Sequence, residues 1–90
     1  MEQKFLEACA RCREEAAALG VRIRPVEQLQ QAQSILSGHR ESDGFARLAQ
    51  LGRLDLSVEA LAVKKQFTAL FSDEEANNAL MRLMDAGYKF

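Results

Sequence analysis

The chain has no tryptophan, one tyrosine, one proline, one histidine and two cysteines. Each shortage removes a class of protein. A structural zinc site usually takes four ligands from two Cys or His pairs, and only one such pair is present, Cys9 and Cys12. The lone histidine, His39, has no nucleophile at a recognisable catalytic spacing. No glycine-rich phosphate cradle and no metal-protease motif occurs. Neither charge is in surplus: 12 basic residues face 13 acidic ones, for a net charge of −1. That balance gives no general attraction to nucleic acid or anionic lipid. No apolar run approaches the roughly 18–20 residues that span a bilayer. The opening "MEQKFLEA" lacks the apolar stretch of a secretion signal. A cytoplasmic location is therefore expected, with both cysteines as reduced thiols. No membrane association, catalytic residue, metal or cofactor is expected.

What is present is a light, aliphatic composition. Of the 90 residues, 48% are apolar, drawn mostly from alanine and leucine, with five phenylalanines. A chain of this length makes one domain, residues 1–90, and buries roughly 60% of its unfolded surface. Small side chains suit close helix–helix packing, and the periodicity agrees. Phe5, Cys9, Cys12, Ala16 and Leu19 recur at helical steps, so a helix over 2–19 ending at Gly20 is expected. "VRIRP" alternates apolar and basic residues and reads as an extended connector. Pro25 is placed to open a second helix over 25–37, with Val26, Leu29, Ala32, Ile35 and Leu36 inward. "SGHRESDG" is a polar loop. A short helix over 44–51 follows, capped by Ser42 or Asp43, with Phe45, Leu48 and Leu51 inward.

"RLDLS" reads as a connector, and Ser57 as the cap of a fourth helix. Lys64 and Lys65 interrupt its apolar stripe, so either a bent helix or two short helices meeting near Lys64 is expected. "SDEE" at 72–75 is a capping box for a last helix over 73–86, with Ala76, Leu80, Leu83 and Met84 inward and Gly87 closing it. The fold class is thus an all-α bundle of about five helices.

The C-x-x-C pair leaves three readings open. A redox dithiol normally sits at a helix N-terminus, where the dipole lowers the thiol pKa, but these cysteines lie mid-helix. A zinc site could be shared across a dimer. Both cysteines also fall on the apolar stripe, where a free cysteine acts as a small hydrophobe, and packing is the favoured reading. Arg22, Arg24, Arg40, Arg47 and Arg53 flank loops in the middle third. Arg22, Arg24, Lys64 and Lys65 are the candidate contacts to an anion or nucleic acid, against the alternative of a solvated surface.

"SVEALA … SDEEANNALMRLMDAGYKF" resembles, in pattern, the helical half of a winged helix-turn-helix module. That resemblance implies a small DNA-binding regulator using the last two helices. It covers about a third of the chain. The sequence departs from it in a long link between the two helices and in an acidic start, Asp73-Glu74-Glu75, which phosphates would repel. No functional residue carries over.

The expectation for function is a non-enzymatic protein–protein interaction module, such as an adaptor, inhibitor or small accessory subunit, which could also self-associate as a dimer. The small-residue seam of the first helix (Phe5, Cys9, Cys12) and the aromatic tip (Tyr88, Phe90) are the candidate partner-binding residues. The alternative is the DNA-binding regulator.

Overall fold

The computed structural model of the chain describes residues 1–88. Five α-helices follow one another: α1 (Glu2–Ala18), α2 (Leu29–Ser37), α3 (Phe45–Gln50), α4 (Val58–Ala62) and α5 (Asp73–Asp85). Two 3-10 turns, Leu54–Leu56 and Thr68–Leu70, flank α4, and no strand occurs among the described residues.

Straight-chain and alanine residues favour the helix over 2–18, since they lose little freedom in it. α1, α3 and α5 all end in the same way. At the end of α1 the Gly20 amide donates to Ala17 O at 3.0 Å and the Val21 amide to Ala16 O at 2.9 Å. This double reversal needs a left-handed residue after the helix, and glycine supplies it at φ +83°. Val21 then packs with Ala16, so the stop signal also aims the connector at the core.

α2 begins four residues later than Pro25 would allow. Residues 21–27 take no regular secondary structure, with Val21 buried and Arg22 and Arg24 exposed. The helix opens instead where Gln31 can reach back. Its Oε1 accepts from the Gln28 amide at 3.0 Å and the Glu27 amide at 2.6 Å. Those two bonds tie down the N-cap amide and the one before it, the reach-back half of a capping box, so the start follows Gln31 rather than the proline. α3 likewise lacks the expected side-chain cap. Gly44 precedes it at φ +76°, because Ser42 and Asp43 are engaged elsewhere.

Ser57 caps α4 as expected, accepting from the Ala60 amide at 3.1 Å while donating to Leu54 O at 2.7 Å. All five α4 residues are buried. The segment after it breaks, so of the two sequence readings the shorter pieces are found, the second being the 3-10 turn. Lys64 and Lys65 lie in that break and are exposed. The link from α4 to α5 is therefore long, unlike the tight turn of a helix-turn-helix. α5 opens on the expected capping box, Ser72 Oγ accepting from the Glu75 amide at 3.1 Å and Glu75 Oε1 from the Ser72 amide at 2.9 Å.

α4 is the centre, packed against α1 on one side and α5 on the other, while α5 also packs on α2. The core forms two clusters. The first gathers Phe5, Leu36, Leu61, Phe67 and Phe71, with Phe5 edge-on to Phe67 and Phe71 at centroid distances of 5.3 and 5.2 Å. Such ring pairs contribute about 0.5–1.5 kcal/mol each beyond their burial. The second gathers Phe45, Leu48, Leu54, Leu56 and Leu83. Cys12 and Val63 pack against both and join them.

Candidate functional site

Sequence reasoning placed the partner surface on the α1 seam, and the structure does not. Phe5 is 0% exposed and Cys9 is buried beside it, both covered by the chain's own aromatic residues and α4. As folded they offer nothing to a partner. Cys12 is half-buried at the junction of the two clusters. Burial pushes the Cys9 thiol up to about 12, with the neighbouring Cys12 adding to the shift. Burial also raises Cys12, with Glu15 as the next cause. A redox dithiol needs a lowered pKa, so this geometry is that of packing. Among the described residues, no group of three or more His, Cys, Asp or Glu side chains stands ready to hold a metal ion. Tyr88 folds back rather than projecting. Its amide donates to Leu83 O at 2.9 Å, and its half-buried side chain packs on the second cluster. Phe90 lies outside the described residues.

The basic candidates fall into two places. Arg22 and Arg24 line one depression with Arg13, Glu14 and Asp43, and there Arg24 pairs with Asp43 at 3.1 Å. Lys64 borders a different depression, with Arg11, Glu14 and Glu15. Carboxylates flank the basic groups in both. In "SILSGHRESDG", Ser34, His39, Ser42 and Asp43 border one cleft under the loop, but two of them are engaged with other partners. Ser42 donates to Glu59, and Asp43 holds Arg24.

What sequence reasoning missed is a buried charged cluster. Glu59 is 0% exposed. Its carboxylate accepts from the Ser42 hydroxyl at 2.5 Å, the Ser42 amide at 2.9 Å and Arg82 Nη1 at 3.3 Å. Arg82 in turn donates to Ile35 O at 3.2 Å and Gly38 O at 2.6 Å. One helical turn earlier, Asn78 Nδ2 donates to Leu36 O at 3.0 Å. The final carbonyls of a helix have no partner within it. Here the inner face of α5 supplies donors to the end of α2, and Glu59 fixes both that arrangement and, through Ser42, the far end of the 38–44 loop. One signal was available: Glu59 sits within Val58-Glu59-Ala60-Leu61-Ala62, a helix too short and too apolar to spare an exposed face.

This cluster turns α5. Asn78 and Arg82 join Ala79 and Leu83 on the inner side, so Met84, expected inward, is 61% exposed, and Met81 is 54% exposed. Leu80 and Ala76 are half-buried between the two sides. Helical spacing puts Asn77, Met81 and Met84 on one outer face, bordered by Glu74 and Asp85. Beside it runs an open groove of about 310 Å³, lined by Gly38 and His39 on one wall and by Glu74, Met81, Arg82 and Asp85 on the other. A larger cleft of about 440 Å³ lies under the 38–43 loop, between Arg24, Ile35 and Val58.

No family model, curated protein or solved structure matches this chain. No helix among the described residues is long and apolar enough to cross a membrane.

Proposed function

We propose that the chain is a non-enzymatic, cytoplasmic protein-binding module that engages a partner through the outer face of α5. The observation that carries this reading is the pair Met81 and Met84, 54% and 61% exposed on neighbouring turns of a helix whose other side is locked. Isolated exposed apolar residues are ordinary. Two adjacent methionines beside a groove are less so, and flexible thioether side chains suit a surface that moulds to a partner. The cytoplasmic part of the reading rests on two free cysteines, which a reducing compartment keeps as thiols. Of the groups near His39, Ser42 and Asp43 are committed to structural bonds with Glu59 and Arg24, which favours a non-enzymatic role. The DNA-binding alternative has less support, because α5 exposes Asp73, Glu74 and Asp85.

The test is affinity capture from native lysate with the wild-type chain and with Met81→Gln/Met84→Gln, each with and without nuclease, read by mass spectrometry. A protein enriched by the wild type and lost with the variant, regardless of nuclease, is the expected outcome. Equal capture by both proteins refutes the α5 face. Capture abolished by nuclease favours the DNA-binding regulator.

A further inference from the structure

Two features of α5 are not explained by its packing in the monomer, the methionine pair and Asp85. Met81 and Met84 are more than half exposed, with a weak 3.8 Å bond from Asn77 Nδ2 to the Met81 sulfur. Glu74 and Asp85 border them, and among the described residues no ion pair engages either carboxylate. Asp85 also lies in the last turn, where the negative end of the helix dipole disfavours a carboxylate. Asp73 and Glu74 can be explained as favourable charges at the helix start, but Asp85 cannot. The only basic residue of α5, Arg82, is already spent on Glu59 and two carbonyls. The face is therefore apolar at its middle and anionic at both ends.

Resting on the reading of α5 as a protein-binding face, we propose that this face and the adjoining groove receive a basic amphipathic helix of a partner protein. Its apolar side chains cover Met81 and Met84, and cationic side chains meet Glu74 and Asp85. Those two carboxylates are eleven positions apart, about 16 Å along the axis. A helix laid alongside matches them with Lys or Arg about three turns apart, flanking apolar residues at i, i+3 and i+4 steps. The complementary charges set orientation and approach rate, and the methionines supply the apolar contact.

The probe is a synthetic helical peptide with a leucine stripe and lysines at that spacing. Its counterpart carries glutamate in place of each lysine. Binding is read by fluorescence anisotropy at physiological salt, and the site by the methyl resonances of the methionines. The lysine peptide is expected to bind at least about tenfold more tightly than the glutamate peptide. It should shift the Met81 and Met84 methyls while leaving Met1 unmoved. Met81→Gln/Met84→Gln should weaken it by about tenfold, and Glu74→Lys/Asp85→Lys should reverse the preference between peptides. Both variants change exposed residues, and circular dichroism checks that each is folded.

Equal affinity for the two peptides overturns the basic partner. If the methionine variant still loses its partner from lysate, the binding face survives that result. Binding unaffected by the methionine variant overturns the proposed site. Sedimentation showing wild-type dimers that the methionine variant abolishes also overturns the proposal, because a second copy would then cover the face.

Discussion

Replacing Arg82 by methionine tests the buried cluster directly. Methionine keeps most of the aliphatic stem and its packing but removes the guanidinium. Glu59 would then hold a carboxylate in the core, 0% exposed, with Ser42 as its only remaining partner. Removing one member of a buried ion pair costs about 3–5 kcal/mol, because the remaining charge is desolvated and uncompensated. The Arg82 side chain is 11% exposed, so solvent screening relieves little of this. A chain of this length has a total stability of about 4–13 kcal/mol, so the loss is a large share of it. At about 4–8 °C per kcal/mol, Tm should fall by at least about 12 °C, and urea titration should report the same loss at 25 °C. Because the pair is buried, the deficit should persist in high salt, which would erase a surface effect. Adding Glu59→Gln to Arg82→Met should then restore at least about 1 kcal/mol, since the amide keeps an acceptor for Ser42 and carries no orphaned charge. A deficit within about 1 kcal/mol of wild type, or a double variant less stable than Arg82→Met alone, would refute this account.

Three other outcomes follow from the geometry. The folded Cys9 thiol is held up at about 12, above its ordinary 9.0; stability from its protonated form is fully present below pH 9 and declines as pH rises from there towards about 12, because the unfolded chain then binds fewer protons than the folded one. The stability gap between wild type and Cys9→Ala, measured by urea titration, should therefore narrow as pH rises above 9.0. Gly44→Ala should cost distinctly more than Gly20→Ala in Tm. Both positions have positive φ, a cost of about 1–2 kcal/mol for a residue with a Cβ, but at 44 the Cβ also meets Val21 Cγ1 at 2.7 Å, while at 20 it meets open space. Met81→Gln and Met84→Gln, being exposed, should each leave stability within about 0.5 kcal/mol of wild type by urea titration.

The legible parts of the fold were those written in local chemistry. The α1 stripe from Phe5 to Ala16, the Ser72–Glu75 capping box and the glycine stops after α1 and α5 depend on residues within one turn of each other, and they are found, although Leu19 and Leu51, expected inward at two helix ends, are exposed. What failed depended on partners far along the chain. Pro25 is a sound helix opener, but Gln31 supplied the capping bonds later. Ser42 and Asp43 are good caps, yet distant Glu59 and Arg24 took them. The α5 stripe was read from apolar residues alone, and the bonds of Asn78 and Arg82 to α2 rotated it enough to expel Met84. The candidate site was illegible for the same reason. Met84 looks like a core residue until Asn78 and Arg82 are known to face inward beside Ala79 and Leu83.

That inversion bears on what the chain does. A helix that packs through arginine and asparagine has little need of an apolar opposite face. The inner bonds satisfy the α2 carbonyls and Glu59 whether residues 81 and 84 are methionine or glutamine. The cysteines invert in the other direction. A motif suggestive of surface chemistry is spent on packing, Cys9 inside the first cluster and Cys12 between the two, with burial raising both thiols. Stability thus accounts for Cys9, Cys12, Glu59 and Arg82, residue types often met in functional sites. It leaves Met81, Met84 and Asp85 unaccounted for, and Asp85 even opposes its own helix dipole. Residues that folding does not require, grouped on one rigid face, are where a binding partner's requirements should be sought.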